Sequence, residues 1–270
     1  MNLYARDLET ENATLREELA RTHSQLHRMD EIQRSLVSLA ERELRTTLTM
    51  IFGYARLLGD RDIGEMQEYA GIIATYSWQL KNMLDAMTAL HQIDAGELVL
   101  RMETLPLREI LDYAIAGRQR ELVAKALAVQ LDLEDGLYVR ADRERLLLIL
   151  AQLLSNAITN APPAGTVTLV ARSREASAVI SIQDNGRGIP EEEQPHLFER
   201  FYRRSLPLAR QPDGSGLGLA VAKELVELHG GRIWVEGASS QSNTLCFSLP
   251  RASPSHPNAA IVNLSTKTIP

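Results

Sequence analysis

A seven-residue row opens the chain: Leu8, Leu15, Thr22, Met29 and Leu36, with Leu19 and Leu26 forming a second row beside it. That period predicts a helix over residues 1–30 that pairs with a copy of itself as a coiled coil, Asn12 and Thr22 being polar breaks in the seam. Beyond it Val37, Ala40, Leu44, Leu48, Ile51, Ala55 and Leu58 fall three or four apart, so the helix is expected to run on to about Leu58. Gly59-Asp60-Arg61-Asp62 reads as a turn. Met66, Ala70, Ile73, Ser77, Leu80, Leu84 and Met87 then predict a second helix ending near Asp94-Ala95-Gly96. A two-helix hairpin over residues 31–96 has too little core of its own. Two copies packed as a four-helix bundle supply one, so a homodimer through the hairpin is expected.

The period changes after Glu97. Val129/Leu131/Leu133, Val167/Leu169, Val179 to Ile182, Ile233/Val235 and Leu245/Phe247/Leu249 alternate as strands, and helices are predicted over 107–126, 142–160 and 216–229. Residues 97–251 are therefore expected to form a two-layer α/β sandwich, giving an α plus α/β fold for the whole chain. The tail, 252–270, has prolines, few charges and no period, and is expected to be disordered.

Composition narrows the functional classes. The net charge of −6 argues against wholesale nucleic-acid binding, where a basic surplus is expected. The single cysteine, Cys246, has no internal disulfide partner and reads as a strand residue. No run reaches the roughly 18 apolar residues of a membrane span. The acidic, polar N-terminus is unlike a signal peptide, so a cytoplasmic chain is expected.

Three segments of the C-terminal region carry chemistry. Asn156 sits late in an apolar helix, where its amide oxygen suits either a hard cation such as Mg²⁺ or a helix C-terminal cap. In Asp184-Asn185-Gly186-Arg187-Gly188-Ile189 an apolar strand runs into a strong turn signal. The same residues suit a carboxylate accepting from an adenine amino group, with glycines letting backbone approach the base. Gly214-Ser215-Gly216-Leu217-Gly218 opens a helix, as a phosphate-binding turn or as a flexible linker. Arg203, Arg204 and Arg210 precede it, as positive charge carried towards phosphates or as a solvated loop.

In this order, with Phe198-Glu199-Arg200-Phe201-Tyr202-Arg203 and Glu227-Leu228-His229-Gly230-Gly231 in register, the segments resemble the ATP-binding domain of sensor histidine kinases, within the GHKL ATPases. The resemblance implies ATP and Mg²⁺ as cofactors. Asn156 would stand on the metal, Asp184 on adenine with Gly186, Gly188 and Ile189 beside it, and Gly214 to Gly218 with Arg203 around the phosphates. Gln152 stands where the family usually carries Asn, and Thr159 where it carries Lys. The lost lysine removes a charge-assisted contact of about 1.5–3 kcal/mol.

The resemblance extends through the hairpin, covering about 30–250. Glu41-Arg42-Glu43-Leu44-Arg45-Thr46-Thr47-Leu48 aligns with the family's H-box, whose phospho-accepting histidine is Arg42 here and whose proline is Thr47. Imidazole offers a neutral nitrogen near pH 7, whereas a guanidinium stays protonated and offers no acceptor. Arg42 is thus a degenerate acceptor position. None of His23, His27, His91, His196, His229 and His256 has H-box surroundings. Glu43 and Thr46 keep the family's Glu-x-x-Thr pattern, in which the threonine helps place water to remove phosphate from a response regulator; the alternative is a solvated helix residue. The expected function is two-component signalling by an ATP-binding dimer unable to phosphorylate itself at position 42. It would act as a degenerate kinase, as a phosphatase for a response regulator receiver domain, or paired with an active kinase. The alternatives are a kinase with another acceptor, a serine-directed GHKL kinase (which would lack the hairpin), and a scaffold without nucleotide.

Overall fold

The computed structural model describes residues 44–57, 63–203, 216–239, 242–253 and 260–263. The coiled coil over 1–30, the turn at 59–62, and Arg42 and Glu43 lie outside them. By its contacts the chain divides into two compact units, Met1–Ile73 and Ala74–Pro270.

In the first unit, helix α1 (44–57) is followed by the start of α2 (Ile63–Asp94), matching the helices read from the period of three and four. The rings of Tyr54 and Tyr69 meet at a tilt of 47°, their centroids 5.5 Å apart. Leu48, Phe52 and Leu57 stay exposed on α1, Phe52 to 70%.

The second unit holds the rest of α2 and an eight-stranded sheet with helices packed on it. In chain order the elements are β1 (Val99–Pro106), α3 (Leu107–Ala116), α4 (Gln119–Ala124), β2 (Ala128–Leu133), β3 (Tyr138–Asp142), α5 (Arg143–Asn160), β4 (Thr166–Arg174), β5 (Ser177–Asp184), α6 (Gly218–Leu228), β6 (Ile233–Ser239), β7 (Ser242–Ala252) and β8 (Ala260–Asn263). The sheet runs β2-β4-β5-β7-β3-β1-β8, with β6 on β7; β2 and β4 are parallel and the other pairs antiparallel.

The alternation read in the sequence is the packing pattern. Val167, Leu169 and Ala171 of β4, Ala178, Ile180 and Ile182 of β5, and Leu245, Phe247 and Leu249 of β7 are buried. The helices bring Leu146, Ile149, Leu150, Leu153 and Ala157 of α5 and Val221, Leu225 and Val226 of α6 to the same core. Cys246 lies in that sheet, fully buried, and burial pushes its thiol up to about 12.

Four differences from the sequence reading have physical causes. The helix expected over 107–126 breaks into α3 and α4 at Gly117-Arg118. There the Arg118 side chain is drawn inside, its guanidinium carbon 3.3 Å from the Trp78 ring centre, with hydrogen bonds to the Ala151 carbonyl and Glu121. Burial lowers its pKa to about 10. Strand β1 went unread because its buried set, Leu100, Met102 and Leu105, is spaced by Arg and Glu and ends on Pro106. Strand β3 is only five residues long. The tail, expected to be disordered, contributes β8, whose apolar Ala260-Ile261-Val262 pairs with the open edge of β1. Among the described residues no helix is long and apolar enough to cross a membrane.

Candidate functional site

Helix α5 is the spine of the candidate site. It begins at Asp142, whose Oδ1 accepts from the Arg145 amide at 3.0 Å and whose Oδ2 accepts from the Arg101 amide at 2.8 Å. The Asp142 amide in turn donates to Nε2 of buried His229 at 3.0 Å, and His229 Nδ1 donates to the Leu225 carbonyl at 2.6 Å. Both ring nitrogens are thereby assigned, and burial holds the imidazole below its ordinary pKa, in the neutral form. One residue thus joins β1, α5 and α6.

Asp184 ends β5 between β4 and β7, opposite Val167 on one side and Asn243 on the other. It is 2% exposed. Its Oδ1 accepts from the Gly186 amide and from Asn243 Nδ2, each at 2.9 Å. The first bond is the local turn that Asp-x-Gly predicts. The second comes from a strand 59 residues away and fixes the carboxylate inside the fold, more than a turn requires. Gly186 is obligatory: a Cβ there would lie 2.2 Å from the Asn160 carbonyl oxygen and 2.6 Å from Asp184 Oδ1. Gly188 is half-buried and Ile189 buried beside it.

Lys125, unmarked by any sequence motif, lies where α5 ends. Its Nζ donates to the Ile158 and Thr159 carbonyls at 2.7 and 2.8 Å, supplying the cation that the last turn of α5 lacks. Burial lowers its pKa, and the nearby Asp184 charge opposes that shift. The buried carboxylate therefore has a cation close by.

Asn156 lies one turn before the end of α5, half-buried. It is not the helix cap, which falls at Ala161; its Oδ1 accepts from Asn160 Nδ2 at 3.1 Å. Gln152, a turn earlier, is buried, and its Nε2 has no hydrogen-bond partner. The same amide fills the space over Gly218, where a Cβ would sit 2.4 Å from Gln152 Oε1. Gly186 thus seats on α5 at Asn160 and Gly218 at Gln152, about 12 Å apart along the axis at 1.5 Å per residue.

The glycine-rich segment is described from Gly216 onward; Gly214 and Ser215, like Arg204 and Arg210, lie outside the described residues. Gly216 has φ +69°, and its carbonyl accepts from the Phe201 amide at 2.9 Å. Leu217 is buried and caps α6 without a side-chain hydrogen bond. Arg203 is half-buried. Thr46 is exposed on α1. Among the described residues no group of three or more His, Cys, Asp or Glu is placed to hold a metal.

Residues 141–253 match the model of the histidine kinase-, DNA gyrase B-, and HSP90-like ATPase family. Sensor protein DivL of Caulobacter vibrioides is 35% identical over 245 residues, covering 89% of this chain and 31% of that protein. The chain belongs to the sensor histidine kinase family. Another member, the circadian input-output histidine kinase CikA of Synechococcus elongatus, is 34% identical over 82% of this chain and 31% of its own length. The chain thus spans about a third of the length of these two relatives. The fold is shared with histidine kinase ThkA, in its crystal structure with response regulator protein TrrA, at a TM-score of 0.55 and 21% identity, covering 95% of this chain and 69% of that one. The stretch that matches the histidine kinase-like ATPase family takes in α5, α6 and strands β4 to β7.

Proposed function

We propose that this chain binds ATP with Mg²⁺ between α5, the Asp184-to-Ile189 turn and the start of α6, and signals without accepting phosphate at position 42. The observation that carries the nucleotide reading is the buried Asp184 carboxylate, pinned through Oδ1 by Gly186 and Asn243 at the end of β5. A fixed, desolvated acceptor suits an adenine amino group. Gly186, Gly188 and Ile189 would border the base.

The polar groups present fit such a ligand. Gln152 Nε2 is a buried donor with no partner, next to the first residue of α6. Orphaned donors of this kind cost about 1–3 kcal/mol, and a phosphate oxygen would satisfy this one. Gly214 to Gly218, with Arg203, would surround the phosphates, where the positive end of α6 favours anions. Asn156 would offer its amide oxygen to Mg²⁺. With no carboxylate cluster described nearby, the remaining ligands would be phosphate and water, as this ion usually takes them. Bound Mg-ATP would supply a transferable phosphoryl group.

Arg42 removes the acceptor, because a guanidinium keeps its proton. The chain therefore acts as a degenerate kinase: a homodimer through its hairpin, a docking partner for a receiver domain, or a partner of an active kinase. The recorded complex of ThkA with a response regulator supports the receiver-domain partner. Glu43 and Thr46 support a phosphatase role towards that partner.

One experiment separates the halves of this reading. Incubation with γ-labelled ATP should leave the natural chain unlabelled and label an Arg42→His variant. Label on the natural chain would overturn the degenerate assignment. Melting without any shift on adding Mg-ATP, in a chain whose Asp184→Ala variant behaves identically, would overturn nucleotide binding.

A further inference from the structure

Arg200 stands where three parts of the second unit meet. Its guanidinium grips Asp94, the last residue of α2, in a two-pronged contact: Nη1 to Oδ2 and Nη2 to Oδ1, both 2.7 Å. Nε and Nη2 also donate to Glu224 Oε1, on α6, at 2.9 and 2.6 Å. Isolated exposed ion pairs contribute little. This one is bidentate, shared between two carboxylates, and only 21% exposed at the arginine, which is the geometry in which an Arg pair fixes direction as well as charge.

The next residue shows what is being fixed. Phe201 has φ +68°, a left-handed conformation that a bulky side chain rarely adopts and that persists only where its surroundings enforce it. Its amide donates to the carbonyl of Gly216, two residues before α6. Gly216 is itself left-handed at φ +69°, and a Cβ there would lie 2.8 Å from the Phe201 carbonyl carbon. The Phe201–Gly216 pairing therefore leaves no freedom on either side. The residue before Phe201 is Arg200, held from α2 by Asp94 and from α6 by Glu224.

We infer that Arg200 is a positioning residue: it ties the end of α2 to α6 and thereby holds the Phe201–Gly216 pairing that sets the first turn of α6 for nucleotide phosphates. This rests on the nucleotide reading above. Among the described residues Asp94 is bonded to Arg200 and to none of the groups proposed to hold nucleotide, so it would act on them through that guanidinium. The end of the hairpin's second helix is thus connected to the phosphate-facing turn by a two-step path.

The test uses the full chain with Asp94→Asn, Asp94→Glu and, as a control, Arg172→Ala, which breaks the exposed Arg172–Asp132 pair elsewhere in the sheet. Two quantities are read: hydrogen exchange of the Phe201 amide, residue by residue, and affinity for a non-hydrolysable ATP analogue with Mg²⁺. Asp94→Asn should speed Phe201 exchange and weaken analogue binding by about 5–10-fold, roughly 1–1.4 kcal/mol. Asp94→Glu and the control should change neither. Unchanged Phe201 exchange in Asp94→Asn would overturn the inference, as would faster exchange with unaltered affinity. Absence of analogue binding by the natural chain would overturn the nucleotide reading itself, and this assignment with it.

Discussion

Gln152 shows how far a single residue can be argued. Its side chain is buried between α5 and the first residue of α6, with one oxygen against Gly218 and an Nε2 that satisfies nothing in the protein. A folded chain gains no stability from such a donor, so a ligand is its most direct use. Gln152→Leu, of similar volume, should leave urea-induced unfolding within about 1 kcal/mol of the natural chain or stabilise it, since the desolvated amide is gone. The same variant should bind Mg-ATP at least about tenfold more weakly, a hydrogen bond to a charged group contributing about 1.5–3 kcal/mol. Equal affinity in titration calorimetry would show that Nε2 does not face the nucleotide. The partners of the motif residues tell a complementary story. Asp184, Asn156 and the glycines stand out in the sequence because each breaks a local pattern. Asn243 and Lys125 do not: Asn243 is one polar residue in an alternating strand, and its role arises only from the register that sets it opposite Asp184. Lys125 matters because its loop lies under the end of α5. Both are contacts of the fold, absent from any window of neighbouring residues.

At the scale of elements, the junction of β1, α5 and α6 depends on one neutral imidazole. His229 accepts from the Asp142 amide through Nε2, and a protonated ring has no lone pair there to accept with. Burial lowers its folded-state pKa below the ordinary 6.5. Above that value both folded and unfolded forms are neutral and the full stability is present. As pH falls through 6.5 the unfolded chain takes up the proton first, so stability is lost towards the folded-state pKa. The urea midpoint of the natural chain should therefore drop between pH 7.5 and pH 5.5 by more than that of His229→Gln, which stays uncharged across that range. Parallel curves for the two would remove His229 from the account. The elements themselves were legible where periodicity and burial agree: α5 starts one residue after the expected position, with Asp142 as its cap, and β4, β5 and β7 lie where alternation puts them. The long helix expected over 107–126 failed because its pattern says nothing of Trp78, the ring that draws Arg118 inward. Strand β8 failed because three apolar residues in a proline-bearing tail become a strand only when an open edge such as β1 is there to pair with.

For the molecule as a whole, the open question is what covers α1. Leu44, Leu48 and Phe52 fall four apart and share one face, and Leu48 and Phe52 are 40% and 70% exposed. Burying such side chains is worth about 1.5–3 kcal/mol each. A helix that leaves them in water in one copy has reason to bury them in two, which is what the bundle reading of residues 31–96 requires. The natural chain should then sediment as a dimer at micromolar concentration. Phe52→Asp should raise the dimer dissociation constant by at least about tenfold, because the carboxylate would have to lose water against an apolar face, costing more than the roughly 1.4 kcal/mol that tenfold represents. Thr49→Asp makes a useful comparison. It carries the same charge on an adjoining exposed position and, off the Leu44–Leu48–Phe52 row, should disturb association less. A natural chain that sediments as a monomer would remove the bundle. A Phe52→Asp variant that dimerises as tightly as its parent would move the interface to another face of the hairpin. The first outcome would also change the reading of Arg42. A degenerate position on a monomer has no second subunit to serve, leaving the receiver-domain partner as the remaining recipient of whatever the ATP-binding half controls.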